Sequence, residues 1–311
     1  MINKNSRIGV LMGGPSREAA VSRKTGQSVS EALASLGYHT VPIEYDPARI
    51  FSQLQETGID AVFIALHGRF GEDGMIQGVL EMMGMPYTGP GVASSAVTMD
   101  KIISRRVFLQ AGIPMADGCG YSAKEDRQAV IQHMEEHFHV PFIIKPACQG
   151  STIGLELIRD QKQVPEALER AFAIDPRILA ETFLDGEEFT VSVLDGEPLP
   201  VIQIRPHSGQ YDYYSKYTKG ATDYLVPAPV DRTFAEELQR MAAAGYRAAE
   251  CCGVVRFDMK TDAAGKPYML EANSIPGMTA TSLVPKAAAA AGIDFPHLCE
   301  RILMEACTGK V

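Results

Sequence analysis

Four residues near the end of the chain have the types and spacing to hold a hard cation beside an anion. In VVRFDMK, Arg256 and Asp258 are two apart, and in YMLEANS, Glu271 and Asn273 are two apart, so each pair shares one face of an extended strand. The polar turn TDAAGKP separates them, and an antiparallel hairpin brings Asp258, Glu271 and Asn273 together beside Arg256. Oxygen donors buried without partners are costly, so the pattern predicts either a solvated ribbon or a bound cation. Oxygen-only ligation suits Mg2+, which keeps waters and shares phosphate oxygens. The apolar neighbours Val254, Val255, Phe257, Met269 and Leu270 argue against a fully exposed ribbon.

A second set lies upstream. Lys145 emerges from the apolar strand VPFIIKPA and needs a partner. CQGSTIG follows at once, a small-residue loop whose N–H groups can approach an anion closely. In ILAETFLDGEEFTVSVL, two strands flank Asp185-Gly186, with Glu181, Glu187 and Glu188 around the turn. Surface charge is the plain reading of these carboxylates; a purine and ribose site between two domains is the other.

These residues need a scaffold, and the first hundred residues supply part of one. RIGVLM, HTVPIEY and AVFIAL read as strands. The helix carrying Val29, Leu33 and Leu36, ended by Gly37, and the helix IFSQLQETG alternate with them. That βαβαβ order predicts a doubly wound parallel sheet, with ligands at the carboxyl ends of its strands. Glu18, after strand one, and His67, after strand three, stand at those ends. A carboxylate serving a helix dipole and a histidine closing a strand are the plainer readings. GGPSRE lacks the third glycine of GxGxxG, and no GxxxxGK[ST] occurs. Pro and Gly cluster at residues 86–91, before the helical run KIISRRVFLQAG, and predict a domain boundary near residue 100. TFAEELQRMAAAGYRAAECCG predicts a long helix ahead of the hairpin.

The chain has 311 residues, 46% hydrophobic and 22% charged, the composition of a globular protein of two or three domains. A net charge of -9 argues against a nucleic-acid partner held by bulk electrostatics. No apolar run is long enough to span a bilayer, and the N-terminal stretch does not resemble a secretory signal, so a cytoplasmic location with no membrane partner is expected. The six cysteines have no CxxC spacing, and reduced thiols are expected. His133, His137 and His139 lie on a polar stretch that reads as a solvated helix face.

In order along the chain, LMGGPSRE, ALHGRFGEDG, YTGPGV, MDK, IIKPACQGSTIG, EEFTVSVL, YDYYSKY, RFDM and LEANSIPGMTATSLVP resemble the motifs of the D-alanine:D-alanine ligase family, within the ATP-grasp superfamily. The resemblance runs from about residue 7 to residue 306. It implies a doubly wound parallel sheet domain (1–99) followed by a two-domain ATP-grasp fold, central (100–185) and C-terminal (186–311). It also implies ATP-dependent ligation of two D-alanines through a D-alanyl phosphate, for peptidoglycan precursor synthesis.

Carried over residue by residue, the resemblance gives Lys101, Lys145 and Lys216 to ATP phosphates and Glu181, Leu184 and Glu188 to the adenosine. It gives Asp258, Glu271 and Asn273 to two Mg2+ or Mn2+ ions. Glu18 then holds the ammonium of the first D-alanine, His67 lies near its carboxylate, and Ser282 takes the carboxylate of the second. Arg256 and the Gly277 N–H form an oxyanion site, while Ser151, Lys216 and Tyr217 belong to the closing loops. A homodimer is implied on the same ground. Ala147-Cys148 replaces a bulkier or charged pair, and Thr182 replaces a lysine. Ligases making D-alanyl-D-lactate or D-alanyl-D-serine are the neighbouring activities, and a nucleotide-binding regulator without turnover is the alternative outside the class.

Overall fold

The computed structural model describes residues 2–150, 153–209, 215, 218 and 220–310. Ser151, Lys216 and Tyr217 therefore lie outside the described residues.

Among the described residues, three sheets carry the fold. The first is parallel, in the order β2-β1-β3, from β1 (Arg7–Met12), β2 (His39–Glu44) and β3 (Ala61–Ile64). Side chains alternate across a strand. Ile8 and Val10 accordingly pack with Val29 and Leu33 of the helix Ala19–Ser35, while Leu11 packs with Ile50 and Leu54 of the helix Ile50–Thr57 on the opposite face. The expected doubly wound arrangement is present. Gly37, at φ +90°, follows the first helix, where an L side chain would be strained.

The second sheet is antiparallel, in the order β4-β7-β5-β6, from β4 (Gly118–Ser122), β5 (Phe142–Pro146), β6 (Glu156–Ile158) and β7 (Arg177–Thr182). The helices Arg127–His137 and Val164–Phe172 cover one face through Val130, Met134, Val164 and Leu168, against Phe142, Ile144 and Ile178. Ile143, Lys145, Leu179 and Glu181 fall on the other face. The helix Lys101–Gln110 approaches that side, where Ile102 packs on Ala147 and Leu179.

The chain then passes through residues 183–187 into the third sheet. It comprises β8 (Glu188–Leu194), β9 (Glu197–Pro198), β10 (Ile202–Pro206), β11 (Thr222–Leu225), β12 (Val254–Thr261) and β13 (Pro267–Asn273). The strand order is β11-β10-β8-β12-β13, with β9 on β8. The long helix Arg232–Ala248 buries Leu238, Met241 and Tyr246 against Phe189, Val191, Val255 and Phe257. The last helices, Leu283–Ala290 and Phe295–Met304, lie between the first and third sheets, and Val284, Leu298 and Ile302 join both in one core with Ile8, Val10, Leu194 and Ile202. Full burial of each such side chain stabilises the fold by roughly 1.5–3 kcal/mol.

Candidate functional site

The expected hairpin β12–β13 forms, and its register sets Arg256 opposite Asn273 and Asp258 opposite Glu271. A register shift between Asp258 and Met259 pairs Met259 with Met269, leaving Leu270 as the extra residue of a bulge. The alternation of polar and apolar residues carries no sign of it. Arg256 donates from Nε to Asp258 Oδ1 and from Nη2 to Oδ2, both at 2.8 Å. Asn273 Nδ2 donates to Asp258 Oδ2 at 3.0 Å, and Thr190, opposite Asp258 on β8, donates to Oδ1 at 2.7 Å.

Glu271 reaches the other way. Its Oε2 lies 3.0 Å from Lys101 Nζ, which also donates to Gln149 O at 2.8 Å, in the loop after β5. Burial pulls the Lys101 ammonium down, but Glu271 first, with Cys148 and Glu181 behind it, pulls the other way, and its pKa is raised overall.

The partner that Lys145 needed is Glu181. On adjacent strands, Lys145 Nζ stands 2.5 Å from Glu181 Oε2, and Arg105 Nη1 lies 3.6 Å from Oε1. Glu181 is 2% exposed, so its surface reading is replaced by a buried ion-pair cluster. Leu184 is buried and Glu188 half-buried, at the crossing into the third sheet.

A cavity of about 290 Å³ opens beside the hairpin, lined among others by Glu18, His67, Glu72, Arg256, Gly277 and Ser282. Glu271 and Asn273 also line it. Glu18 sits between two glycines. A β-carbon on Gly68, at φ +71°, would fall 2.9 Å from Glu18 Oε2, and one on Gly150 would fall 3.1 Å from it. Gly150 thereby brings the loop after β5 against the Glu18 carboxylate.

Ser282 precedes the helix Leu283–Ala290, and its Oγ accepts the Thr279 N–H at 3.1 Å. A β-carbon on Gly277 would come within 3.0 Å of that oxygen. The helix N-terminus adds a positive end to this side of the cavity.

His67 is buried, with Nδ1 at 3.0 Å from Ile275 O and Nε2 at 3.0 Å from Thr25 Oγ1. A carbonyl only accepts, so Nδ1 carries the proton and Nε2 takes the Thr25 hydroxyl. Burial lowers its pKa against the opposing pull of Glu18, which favours the neutral ring. His67 thus ties the exit of β3 to the segment after β13.

Glu72 escaped the sequence reading. Its Oε2 accepts the Gly68 N–H at 2.7 Å and its Oε1 the Ile275 N–H at 3.2 Å. Burial first, and the nearby Glu18 charge second, push it up to about 8. An acidic residue in the glycine-rich stretch HGRFGEDG, beyond the carboxyl end of a parallel strand, was the available signal.

Among the described residues, no group of three His, Cys, Asp or Glu side chains is gathered as a metal site. The hairpin offers two carboxylates and an amide instead. Asp258 and Glu271, on one face, each draw a cationic side chain, Arg256 and Lys101, and this oxygen donor set fits a hard divalent cation.

A family model described as D-ala D-ala ligase C-terminus matches residues 107–304, and one described as D-ala D-ala ligase N-terminus matches residues 48–90. A D-alanine–D-alanine ligase from Syntrophotalea carbinolica is 45% identical, covering 99% of this chain and 98% of its own. One from Magnetococcus marinus is 44% identical, covering 97% and 98%. Among solved structures, the D-alanine–D-alanine ligase from Bacillus anthracis complexed with ATP aligns with a TM-score of 0.83 at 33% identity, covering 96% of this chain and 97% of that one. The VanG D-Ala:D-Ser ligase from Enterococcus faecalis aligns with a TM-score of 0.83 at 27% identity, covering 96% and 99%.

Proposed function

The chain belongs to the D-alanine–D-alanine ligase family, and from that membership we propose that it joins two D-alanines into D-alanyl-D-alanine at the expense of ATP, for peptidoglycan precursor synthesis. The observation that carries this reading is Glu271. It lines the small polar cavity and pairs with Lys101, which bonds the loop after β5, so one hairpin serves both an amino-acid site and a nucleotide site.

A carboxylate is a poor electrophile, and an amide forms in water only after one carboxylate oxygen becomes a leaving group. Transfer of the ATP γ-phosphoryl group to the first D-alanine makes a D-alanyl phosphate. Attack by the neutral amine of the second D-alanine then breaks the C–O bond, and phosphate leaves with that oxygen. Lys101 and Lys145 neutralise the phosphates in this scheme; Lys216, Ser151 and Tyr217, assigned by the family resemblance, lie outside the described residues. Glu181, Leu184 and Glu188 meet the adenosine. Asp258, Glu271 and Asn273 would hold Mg2+ or Mn2+, two per site, which would supply charge neutralisation at phosphate oxygens.

Glu18 takes the ammonium of the first D-alanine, while neutral His67 orients the wall near its carboxylate. Ser282 and the positive helix end behind it favour the carboxylate of the second. Arg256 and the Gly277 N–H face the oxyanion that develops during attack. A cavity of about 290 Å³ with charges of both signs suits small zwitterions.

The same reading divides the chain into units 1–99, 100–185 and 186–311, supported by the three sheets and the crossing at 183–187. A homodimer and a cytoplasmic location belong to it on family grounds; among the described residues, no helix is long and apolar enough to cross a membrane. Phosphate release from ATP tests the proposal. It should require D-alanine and Mg2+, fail with L-alanine, and give no D-lactate product near neutral pH. Equal turnover with L-alanine, or undiminished turnover in excess EDTA, would overturn it.

A further inference from the structure

Behind the loop that begins at Cys148, three elements meet: the end of β5, the start of β7 and the N-terminus of the helix Lys101–Gln110. Main-chain bonds register them. Lys101 N–H donates to Ala147 O and Ala147 N–H to Arg177 O, both at 3.0 Å. Two buried aspartates close the joint. Asp100, 4% exposed, caps the helix by accepting the N–H groups of Ile102 and Ile103. Asp175, 5% exposed, accepts the N–H of Arg177 at 2.9 Å and that of Cys148 at 2.8 Å.

The Arg177 side chain spans what remains. Its Nη2 is 2.5 Å from Asp100 Oδ2 and 3.3 Å from Cys148 Sγ, so one guanidinium contacts both the cap of the Lys101 helix and the first residue of the loop. The neighbouring residue Gln149 accepts from Lys101 Nζ.

We propose that Arg177 is a positioning residue for the nucleotide end of the site, locking the loop that starts at Cys148 to the helix that starts at Lys101. It acts through those two partners. The proposal rests on the reading that Lys101 and this loop hold the ATP phosphates. Burial, then Asp100 and Asp175, push the Cys148 thiol up to about 11, so Sγ is a neutral, weak acceptor. The ion pair with Asp100 anchors the guanidinium, and the contact with Cys148 sets where the loop begins. A lysine at 177 keeps a charge for Asp100, but its ammonium is a hydrated point charge on a flexible stem and holds the two partners of Nη2 less firmly.

The test compares wild type, R177K, R177A and K101A by KM for ATP, KM for D-alanine, kcat and thermal midpoint. The Arg177 side chain is 42% exposed, so truncation leaves no sealed void. R177A should raise the KM for ATP roughly tenfold or more, the scale of losing a charged hydrogen bond. Its KM for D-alanine should stay within about twofold of wild type, with R177K between the two. The thermal midpoint should stay close to wild type. An unchanged KM for ATP in R177A, with a raised one in K101A, overturns the positioning role and leaves the nucleotide site standing. An unchanged KM for ATP in K101A overturns the site reading and the proposal with it. A parallel rise of both KM values in R177A, with a lowered midpoint, also overturns it by revealing a general structural loss. Should R177A not fold, R177K decides: a KM for ATP equal to wild type overturns the proposal, and a selective rise supports it.

Discussion

Lys101 Nζ lies 3.0 Å from Glu271 Oε2, although the two residues come from a helix beside the second sheet and a strand of the third. Their pairing joins the β12–β13 hairpin to the loop after β5, because the same ammonium donates to Gln149 O. A movement of either sheet relative to the other therefore acts on this pair.

Glu271→Gln tests the hairpin as a cation site. The substitution preserves shape and removes one charge, so thermal unfolding should stay near wild type. Ligation should fall by roughly 10²-fold or more, the scale of losing one electrostatic group at a reacting centre. A near-normal kcat at saturating Mg2+ would show that Glu271 holds no cation.

Glu72 should give folding a proton-linked signature. The group titrates at about 8 in the folded chain against an ordinary value of 4.5. Between those values the folded state binds more protons than the unfolded one, so stability falls as pH rises. This contribution is fully present below about pH 4.5 and is lost as pH passes about 8. Glu72→Gln lacks the titration. Wild-type unfolding free energy minus that of the variant should therefore decline across this window in denaturant melts at several pH values. A difference that is flat or grows with pH would contradict the raised value.

Much of this fold is legible in the sequence because its signals are local. RIGVLM and AVFIAL read as strands since both faces of the first sheet are covered, and two-residue spacing within each strand, together with an antiparallel hairpin, put Asp258, Glu271 and Asn273 on one face. The bulge at Leu270 was not legible, because it depends on Met269 rather than Leu270 pairing with Met259 across the hairpin. Long-range pairing hid other features. Glu181 reads as surface charge until β7 lies beside β5, and Arg177 shows no purpose until Asp100 and Cys148 reach it. The helix Val92–Met99 also went unread, since VASSAVTM mixes small and β-branched residues directly after a Gly-Pro-Gly turn.

Ser282 and Asp231 both precede helices, yet their side chains differ in use. Ser282 makes no capping bond with its side chain, whereas Asp231 accepts the Phe234 N–H at 2.9 Å. Ser282→Ala should accordingly raise the KM for the second D-alanine with little change in thermal midpoint. Asp231→Ala should cost about 1 kcal/mol of stability and leave both KM values alone. Kinetics and melting of the two variants decide it; the reverse pattern would assign Ser282 to the helix rather than to the substrate.

The acyl phosphate is tested most directly by following one oxygen atom. With D-alanine labelled with 18O in its carboxylate, the bond broken during amide formation leaves a carboxylate oxygen on phosphorus. Mass spectrometry of the phosphate released from ATP should show one 18O atom for each D-alanyl-D-alanine formed, because one C–O bond of the first substrate breaks per turnover. Unlabelled phosphate accompanying dipeptide would contradict activation of the carboxylate by phosphoryl transfer.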